Sequence, residues 1–171
     1  MTLSTTVIPE TQRKLSEALF FFKLLYGQTQ GPDYDAEKFG YYLSAFLSAT
    51  RSVTFVLQAE DKGHYDALYP AWEAGLAEAD LNLWRYMNDQ RVAEVHQEGA
   101  DVDTTWEWRP VPQVFGMPGR ALPARSFVVG SPGVQAGVQI HRFRIGESAV
   151  DVRDACATYL DLLKWLVGKF L

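Results

Sequence analysis

The segment from Met87 to Gly99 holds the residue types best suited to chemistry in this chain. Arg91 and His96 lie five positions apart near the end of a predicted helix, shortly before Gly99. Arginine is a permanent cation that hydrogen-bonds phosphate oxygens, and histidine can donate or accept a proton near neutral pH. Together these two side chains could cleave a phosphodiester bond without a metal ion.

The apolar spacing across Leu81–His96 predicts that part of this segment faces the protein interior. On a helical wheel of about 100° per residue, Asn88 and Arg91 fall within the apolar arc. That arc comprises Leu81, Leu83, Trp84, Met87, Val92 and Val95. Burying an unpaired charge is costly, so an inward arginine needs a partner. We expect Arg91 either to join a buried hydrogen-bond network or to face a cleft where phosphate binds.

The spacing also sets a geometric condition, because Arg91 and His96 would be about 140° apart around an uninterrupted helix. One straight helix cannot bring both residues to one phosphate within one subunit. Either the helix ends between them, near Glu94, or two subunits share a cleft. Gly99 favours a nearby helix end, where the helix dipole would stabilise a protonated histidine. The alternative for His96 is a histidine that caps a surface turn.

Helical periodicity dominates the chain on both sides of a different middle section. The predicted helices run from about Pro9 to Tyr26, Asp35 to Asp61, Ala67 to Gln97 and Ser148 to Phe170. The third is expected to be interrupted, because Gly75 weakens it and Asp80 is a good N-cap for a fresh helix from Leu81. Ser148 and Asp151 form a predicted capping pair for the last helix. The sequence therefore predicts a mainly α-helical fold of four helices with a β insertion before the last one.

Residues 101–146 form this insertion, which is rich in glycine, proline and arginine. Its short β-type runs are Thr104–Trp108, Ser126–Val129 and Val138–Ile145. Between residues 104 and 146, five arginines stand against the single acid Glu107, a local charge of +4 in a chain of net charge −5. Arg142 and Arg144 are therefore candidate phosphate contacts. The alternative is that these arginines lie in solvent and neutralise the acidic helices.

Two further polar side chains are expected on the surface. Arg51 projects with Ser44 and Ser48 on the polar face of the second predicted helix. His141 lies between Ile140 and Arg142 in the last β-type run, as a surface strand residue would. Neither position suggests chemistry by itself.

Composition indicates one globular domain spanning residues 1–171. Apolar residues make up 47% of the chain and charged residues 22%, which is typical of folded rather than disordered proteins. No apolar run approaches the roughly 18 residues that a membrane span needs. No secretion signal precedes Pro9, and the single Cys156 excludes an intramolecular disulfide. We expect a cytoplasmic protein with no cofactor and no metal, since no zinc spacing or phosphate-binding glycine loop occurs.

The Met87–Gly99 segment resembles the HEPN superfamily, the higher eukaryotes and prokaryotes nucleotide-binding domain. That family is a four-helix up-and-down bundle with an arginine and a histidine, four to six residues between them, at the end of its third helix. Residues 41–53 resemble the small-residue-rich second helix of bacterial members. The Trp72 region and residues 159–164 fit the same order of elements. The resemblance covers the four helices and leaves residues 101–146 unmatched.

The resemblance implies a metal-independent ribonuclease that works as a homodimer with two motifs facing each other. His96 would act as general acid or base at the ribose 2′-hydroxyl or the leaving oxygen, and Arg91 would stabilise charge in the transition state. The predicted substrate contacts are Asn88, Asp89, Arg142 and Arg144. Such enzymes suit a toxin or defence setting with an antitoxin-like protein partner, away from any membrane.

Two other functions stay open at the level of sequence. The residue after the motif arginine is usually polar in the family, and here it is Val92. A non-catalytic HEPN module that binds RNA, nucleotide or a partner protein is therefore the main alternative. The third reading is a plain helical assembly domain whose β insertion forms the interface.

Overall fold

The computed structural model describes residues 8–28, 35–96, 102–110 and 135–171. Within them the chain forms five α-helices and one three-stranded antiparallel sheet. In chain order these are α1 (Pro9–Gln28), α2 (Ala36–Glu60), α3 (Lys62–Ala74), α4 (Glu78–His96), β1 (Asp103–Pro110), β2 (Gln135–Ile145), β3 (Ser148–Asp151) and α5 (Val152–Val167). The prediction of a mainly helical protein with a small β region before the last helix is confirmed. The predicted strand at Ser126–Val129 lies outside the described residues.

Helix α2 matches, to within one residue at each end, the bounds that the sequence predicts. The Asp35 carboxylate accepts hydrogen bonds from the backbone N–H groups of Glu37 and Lys38, which satisfies donors that the first turn leaves unpaired. At the other end, the N–H of Asp61 donates to the Leu57 carbonyl. Apolar side chains at helical spacing bury one face: Phe39, Leu43, Phe46, Val53 and Leu57. This buried face makes α2 a central support of the core.

The third predicted helical region is two helices, so the described chain has five helices instead of four. Gly75 ends α3, and its N–H donates to the Ala71 carbonyl at 3.1 Å. Helix α4 begins at Glu78, and its first turn closes when the Leu81 N–H donates to the Ala77 carbonyl at 2.9 Å. Asp80 therefore lies in the first turn, where its carboxylate interacts favourably with the positive end of the helix dipole. The prediction that Asp80 is the N-cap is wrong.

The last helix starts later than predicted, because residues 148–151 form strand β3. Gly146, with φ of 60°, occupies a two-residue turn that pairs Ile145 with Ser148 across a hairpin. A positive φ at the first turn position matches the right-handed twist of the strands and favours glycine. Asp151 is itself the N-cap of α5, accepting a hydrogen bond from the Arg153 N–H at 2.8 Å. The predicted Ser148 cap is therefore wrong, and the sheet extends past residue 146.

The core is built mainly from aromatic and aliphatic side chains of the helices, with one strand contributing. The largest fully buried rings are Trp84 on α4, Tyr159 on α5, Phe46 on α2 and Phe143 on β2. Each such side chain contributes about 1.5–3 kcal/mol when it leaves water. Cys156 is also buried, and burial raises the pKa of its thiol well above the ordinary value. This cysteine is a packing residue, because the reactive thiolate is strongly disfavoured there.

The sheet is attached to α2 through His141, which is buried rather than exposed as the sequence suggested. Its ring stacks on Phe39 with centroids 4.0 Å apart, and its Nδ1 lies 3.0 Å from the Thr104 hydroxyl. Strand residues two apart share a face, so seating Phe143 in the core brings His141 inward with it. Burial lowers the pKa of His141 below its ordinary value, which favours the neutral ring.

A carboxylate at the end of α2 holds the start of α1. Glu60 accepts hydrogen bonds from the backbone N–H groups of Glu10 and Thr11, at 3.0 and 2.8 Å, and from the Thr11 hydroxyl at 2.6 Å. Burial opposes ionisation of this carboxyl, but the hydrogen bonds outweigh it and hold the pKa of Glu60 below its ordinary value of 4.5. Glu60 thus acts as an N-cap supplied from a distant part of the chain.

Replacing Glu60 with glutamine should lower the free energy of unfolding at pH 7 by about 1 kcal/mol, because a charged acceptor at a helix start is lost. The pKa of Glu60 is lowered on folding, so its stabilisation is present above pH 4.5 and is lost as the pH falls through the folded value. Urea unfolding at several pH values measures both effects. Asp161→Asn, an exposed acid paired with Lys164, is the control and should change stability by less than about 0.5 kcal/mol. Equal midpoints for both variants at pH 7 would contradict this role.

Candidate functional site

Helix α4 carries four of the predicted site residues: Asn88, Asp89, Arg91 and His96. It stays α-helical through His96, so of the two arrangements that the spacing allowed, a helix end near Glu94 does not occur. The reason is local, because residues 91–96 contain neither glycine nor proline and Gly99 lies beyond them. Positions 91 and 96 are therefore about 140° apart around one helix axis. The side chains of Arg91 and His96 lie outside the described part of the structure.

Asn88 faces the interior as predicted, and its side chain joins three helices. Its Oδ1 accepts a hydrogen bond from Arg51 Nη1 on α2 at 3.2 Å and lies 3.5 Å from the Tyr159 hydroxyl on α5. Its Nδ2 donates to the Trp84 carbonyl one turn earlier on α4, at 3.0 Å. The neighbouring Asp89 is exposed. The segment before Arg91 is thus fixed in the helix packing by a polar side chain.

Arg51 is the functional candidate that the sequence analysis missed. It is half-buried, its guanidinium lies 4.3 Å from the centre of the Phe55 ring, and one of its N–H groups bonds Asn88. Arginines 13, 142, 144 and 153 each form an ion pair with a carboxylate. Within the described ranges, no carboxylate is that close to Arg51. Because an arginine offers five N–H donors, most of the hydrogen-bonding capacity of Arg51 is still available.

A weak signal for Arg51 does exist in the sequence. Phe55 follows it by one helical turn on the face that otherwise carries small polar side chains. Arg51 also lies next to Thr50, which faces the core, and so sits at the border of the buried face. An aromatic ring beside a border arginine is a pattern that favours a cation held in place by stacking.

An open cleft of about 500 Å³ lies between α2 and α3. Its lining residues are Arg51, Thr54, Phe55 and Gln58 from α2, and Tyr65, Asp66, Tyr69 and Pro70 from α3. This volume is within the range of small-molecule sites. The cleft thus combines a cation, three aromatic rings and several hydrogen-bonding groups.

The α3 wall of this cleft is held by a chain of aromatic contacts. Tyr65 and Tyr69 stack with centroids 5.0 Å apart and an angle of 15° between their planes. The Tyr69 hydroxyl accepts a hydrogen bond from the Trp84 indole N–H at 2.9 Å and donates to Glu73 at 3.2 Å. Burial raises the pKa of Tyr65 to about 12, although the charge of Arg51 partly offsets it. Tyr65 therefore keeps its proton and can serve as a hydrogen-bond donor at neutral pH.

The two ends of the cleft differ in charge. Gln58 lies two turns after Arg51 on α2, about 10 Å further along the helix axis. Its amide donates to Asp66 Oδ1 at 3.4 Å, and Asp66 also forms an ion pair with Lys62. One end thus presents the cation of Arg51, and the other presents an amide and a carboxylate whose charge Lys62 offsets. An elongated ligand with a negative end would be oriented by this difference.

Arg142 and Arg144, the predicted substrate contacts in the insertion, form ion pairs between the paired strands β1 and β2. Arg142 pairs with Glu107 and donates to the Thr105 hydroxyl at 3.0 Å. Arg144 pairs with Asp103 at 3.0 Å. These pairs stabilise the register of β1 against β2, in which residue 103 faces residue 142. Both arginines differ from Arg51, because a carboxylate already offsets their charge.

No family assignment follows from similarity to known proteins. The chain matches no protein-family model, and neither the curated proteins nor the solved structures include a match. In the described ranges, His, Cys, Asp and Glu side chains form no group of three that could hold a metal ion. None of the described helices combines the length and the hydropathy that a membrane span requires.

Asn88→Ala should lower the free energy of unfolding by about 1–3 kcal/mol, because Arg51 and the Tyr159 hydroxyl lose their common acceptor. Asp89→Ala is the matched control: it lies next in the same helix, is exposed, and should change stability by less than about 0.5 kcal/mol. Urea unfolding followed by tryptophan fluorescence measures both. If the two variants are equally stable, Asn88 does not hold the three helices together.

Proposed function

We propose that this protein is a HEPN-like ribonuclease that works as a homodimer and needs no metal ion. In this proposal α1, α2, α4 and α5 are the four helices of an up-and-down bundle, and α3 is an addition to it. His96 moves the proton at the ribose 2′-hydroxyl or the leaving oxygen, and Arg91 stabilises negative charge on the phosphorus-centred transition state. Asn88, Asp89, Arg142 and Arg144 are the proposed substrate contacts.

The observation that carries the proposal is the hydrogen bond between Arg51 and Asn88. This bond places the half-buried Arg51 beside the helix that carries Arg91. Among the side chains that the structure describes, Arg51 has no carboxylate partner. Asn88 precedes Arg91 by three residues, which is nearly one helical turn. A cation in such a position attracts anions strongly, because partial burial weakens the screening of its charge by water. A reaction at a phosphate group is the function that best fits a cation in this position.

A homodimer is part of the proposal because α4 is continuous through His96. Positions 91 and 96 lie on different sides of the helix, so one subunit would supply Arg91 and its partner would supply His96 to the same phosphate. Symmetric dimers bring the same surface of each subunit together and so form two such composite sites. A toxin or defence role with an antitoxin-like protein partner, in the cytoplasm, belongs to the same proposal.

A second candidate is a non-catalytic HEPN-like module that binds RNA, nucleotide or a partner protein. The same continuity of α4 favours it, because a single subunit does not bring positions 91 and 96 to one point. Val92, where the family has a polar residue, favours it as well. In this case Arg51 and Asn88 would bind an anion without cleaving it.

Cleavage of several unstructured RNAs in EDTA tests the proposal. His96→Ala and Arg91→Ala should each lower the cleavage rate at least 100-fold, the range expected for loss of acid–base or electrostatic catalysis. Arg85→Ala, an exposed arginine on the same helix, is the control and should keep the wild-type rate. Far-UV circular dichroism would show that all three variants are folded.

Mixing the two inactive variants tests the shared site directly. If subunits exchange freely, half of the dimers are mixed and each has one intact composite site, so about one quarter of the wild-type activity should return. Recovery of no activity in a mixture proven to contain mixed dimers would contradict a shared site. Wild-type protein that binds these RNAs but leaves them intact would favour the non-catalytic module.

A further inference from the structure

The cleft between α2 and α3 is lined by a cation, aromatic rings and a carboxylate. Its cation, Arg51, is held in a fixed position by Asn88 on one side and by the Phe55 ring on the other. A guanidinium that is already oriented loses little conformational entropy when it binds phosphate, and its planar fork matches two phosphate oxygens. In a chain of net charge −5, this local arrangement is what would attract a phosphate.

The walls of the cleft suit a flat, apolar ring. Phe55 from α2 is 50% exposed and lies at the cleft, with the Arg51 guanidinium over its ring. Tyr65 and Tyr69 from α3 stand on the opposite wall and are fixed by their mutual stacking and by Trp84. Aromatic side chains of this kind bind nucleic-acid bases by stacking and do not require a particular base.

The polar side chains at the far end of the cleft can distinguish between bases. Asp66 is an acceptor only, and the Gln58 amide offers both a donor and an acceptor. A carboxylate accepts a hydrogen bond from an exocyclic amino group, which adenine and cytosine have and uracil lacks. Lys62 offsets the charge of this carboxylate, whereas Arg51 has no carboxylate partner among the described side chains, so the phosphate is expected at Arg51 and the base edge at Asp66.

We propose that this cleft binds one nucleotide of a single-stranded RNA, with its phosphate on Arg51, its base against Phe55 and Tyr65, and a preference for amino-bearing bases set by Asp66. The inference rests on the proposed function and adds a binding subsite and a base preference to it. Arg51 also bonds Asn88 on α4, so a strand held in the cleft would continue onto the helix of Arg91 and His96. The cleft would thus position the RNA and take no part in the cleavage step.

Binding of short RNAs with 2′-O-methyl riboses tests this inference, since blocked 2′-hydroxyls cannot attack the phosphate and the wild-type protein can be used. Fluorescence anisotropy with A4, C4 and U4 oligonucleotides gives affinities over a range of salt concentrations. Arg51→Met should weaken binding about tenfold and reduce the salt dependence by about one phosphate contact. Phe55→Ala, which removes an exposed ring, should also weaken binding about tenfold by loss of stacking.

Asp66→Ala should remove the preference for A4 and C4 over U4. The matched control is Arg85→Met, which makes the same charge change as Arg51→Met on an exposed side chain of α4 and should affect binding much less. Thermal unfolding of each variant identifies any loss of fold. If Arg51→Met does not fold, Phe55→Ala tests the cleft in its place. Binding that is equal for Arg51→Met, Phe55→Ala and Arg85→Met would overturn the assignment of the cleft.

Cleavage of unmodified RNA on the same preparations separates this inference from the proposed function. Arg51-dependent binding together with intact RNA would contradict the ribonuclease proposal but support the cleft. If the wild-type protein cleaves RNA but the Arg51 and Phe55 variants bind as tightly as the wild type, only the assignment of the cleft is contradicted. Binding of inorganic phosphate but of no oligonucleotide would show an anion site without a base site and would also overturn the inference.

Discussion

The hydrogen bonds of Asn88 are the interaction on which the arrangement of the candidate site depends. An amide offers a donor and an acceptor at once, and Asn88 uses them toward its own helix, toward Arg51 on α2 and toward Tyr159 on α5. Removing such a group from water is costly unless its partners are present. The three helices must therefore keep their positions for the amide to stay satisfied, and this fixes the guanidinium of Arg51 as well.

Helix α2 is anchored at both of its ends, and this holds Arg51 in a fixed position. Near its start, Phe39 stacks on His141 of the sheet. At its last residue, Glu60 caps α1 through three hydrogen bonds. Between these two contacts, Phe46, Val53 and Leu57 are fully buried in the core. The cleft is thus built on a helix that is held along its whole length, and binding there would require little rearrangement.

The distribution of charge matters more for this protein than its total. A net charge of −5 gives no indication of a nucleic-acid partner, and the sequence predicts that the arginine-rich insertion is the basic surface. In the described part of that insertion, Arg142 and Arg144 are neutralised by Glu107 and Asp103 on the neighbouring strand. Arg51 has an amide and an aromatic ring as neighbours, and neither cancels its charge.

The sequence by itself determined the elements whose causes are local: the bounds of α2, the mainly helical class and the inward direction of Asn88. Helical periodicity and capping residues act within a few positions, so they can be read directly from the chain. Only the tertiary structure decided that Arg51 meets Asn88, that His141 is buried, and that residues 148–151 continue the sheet. Arg51 and Asn88 are 37 positions apart in the sequence. No local pattern encodes such a partner, because packing of whole helices decides which distant polar groups come within hydrogen-bonding distance.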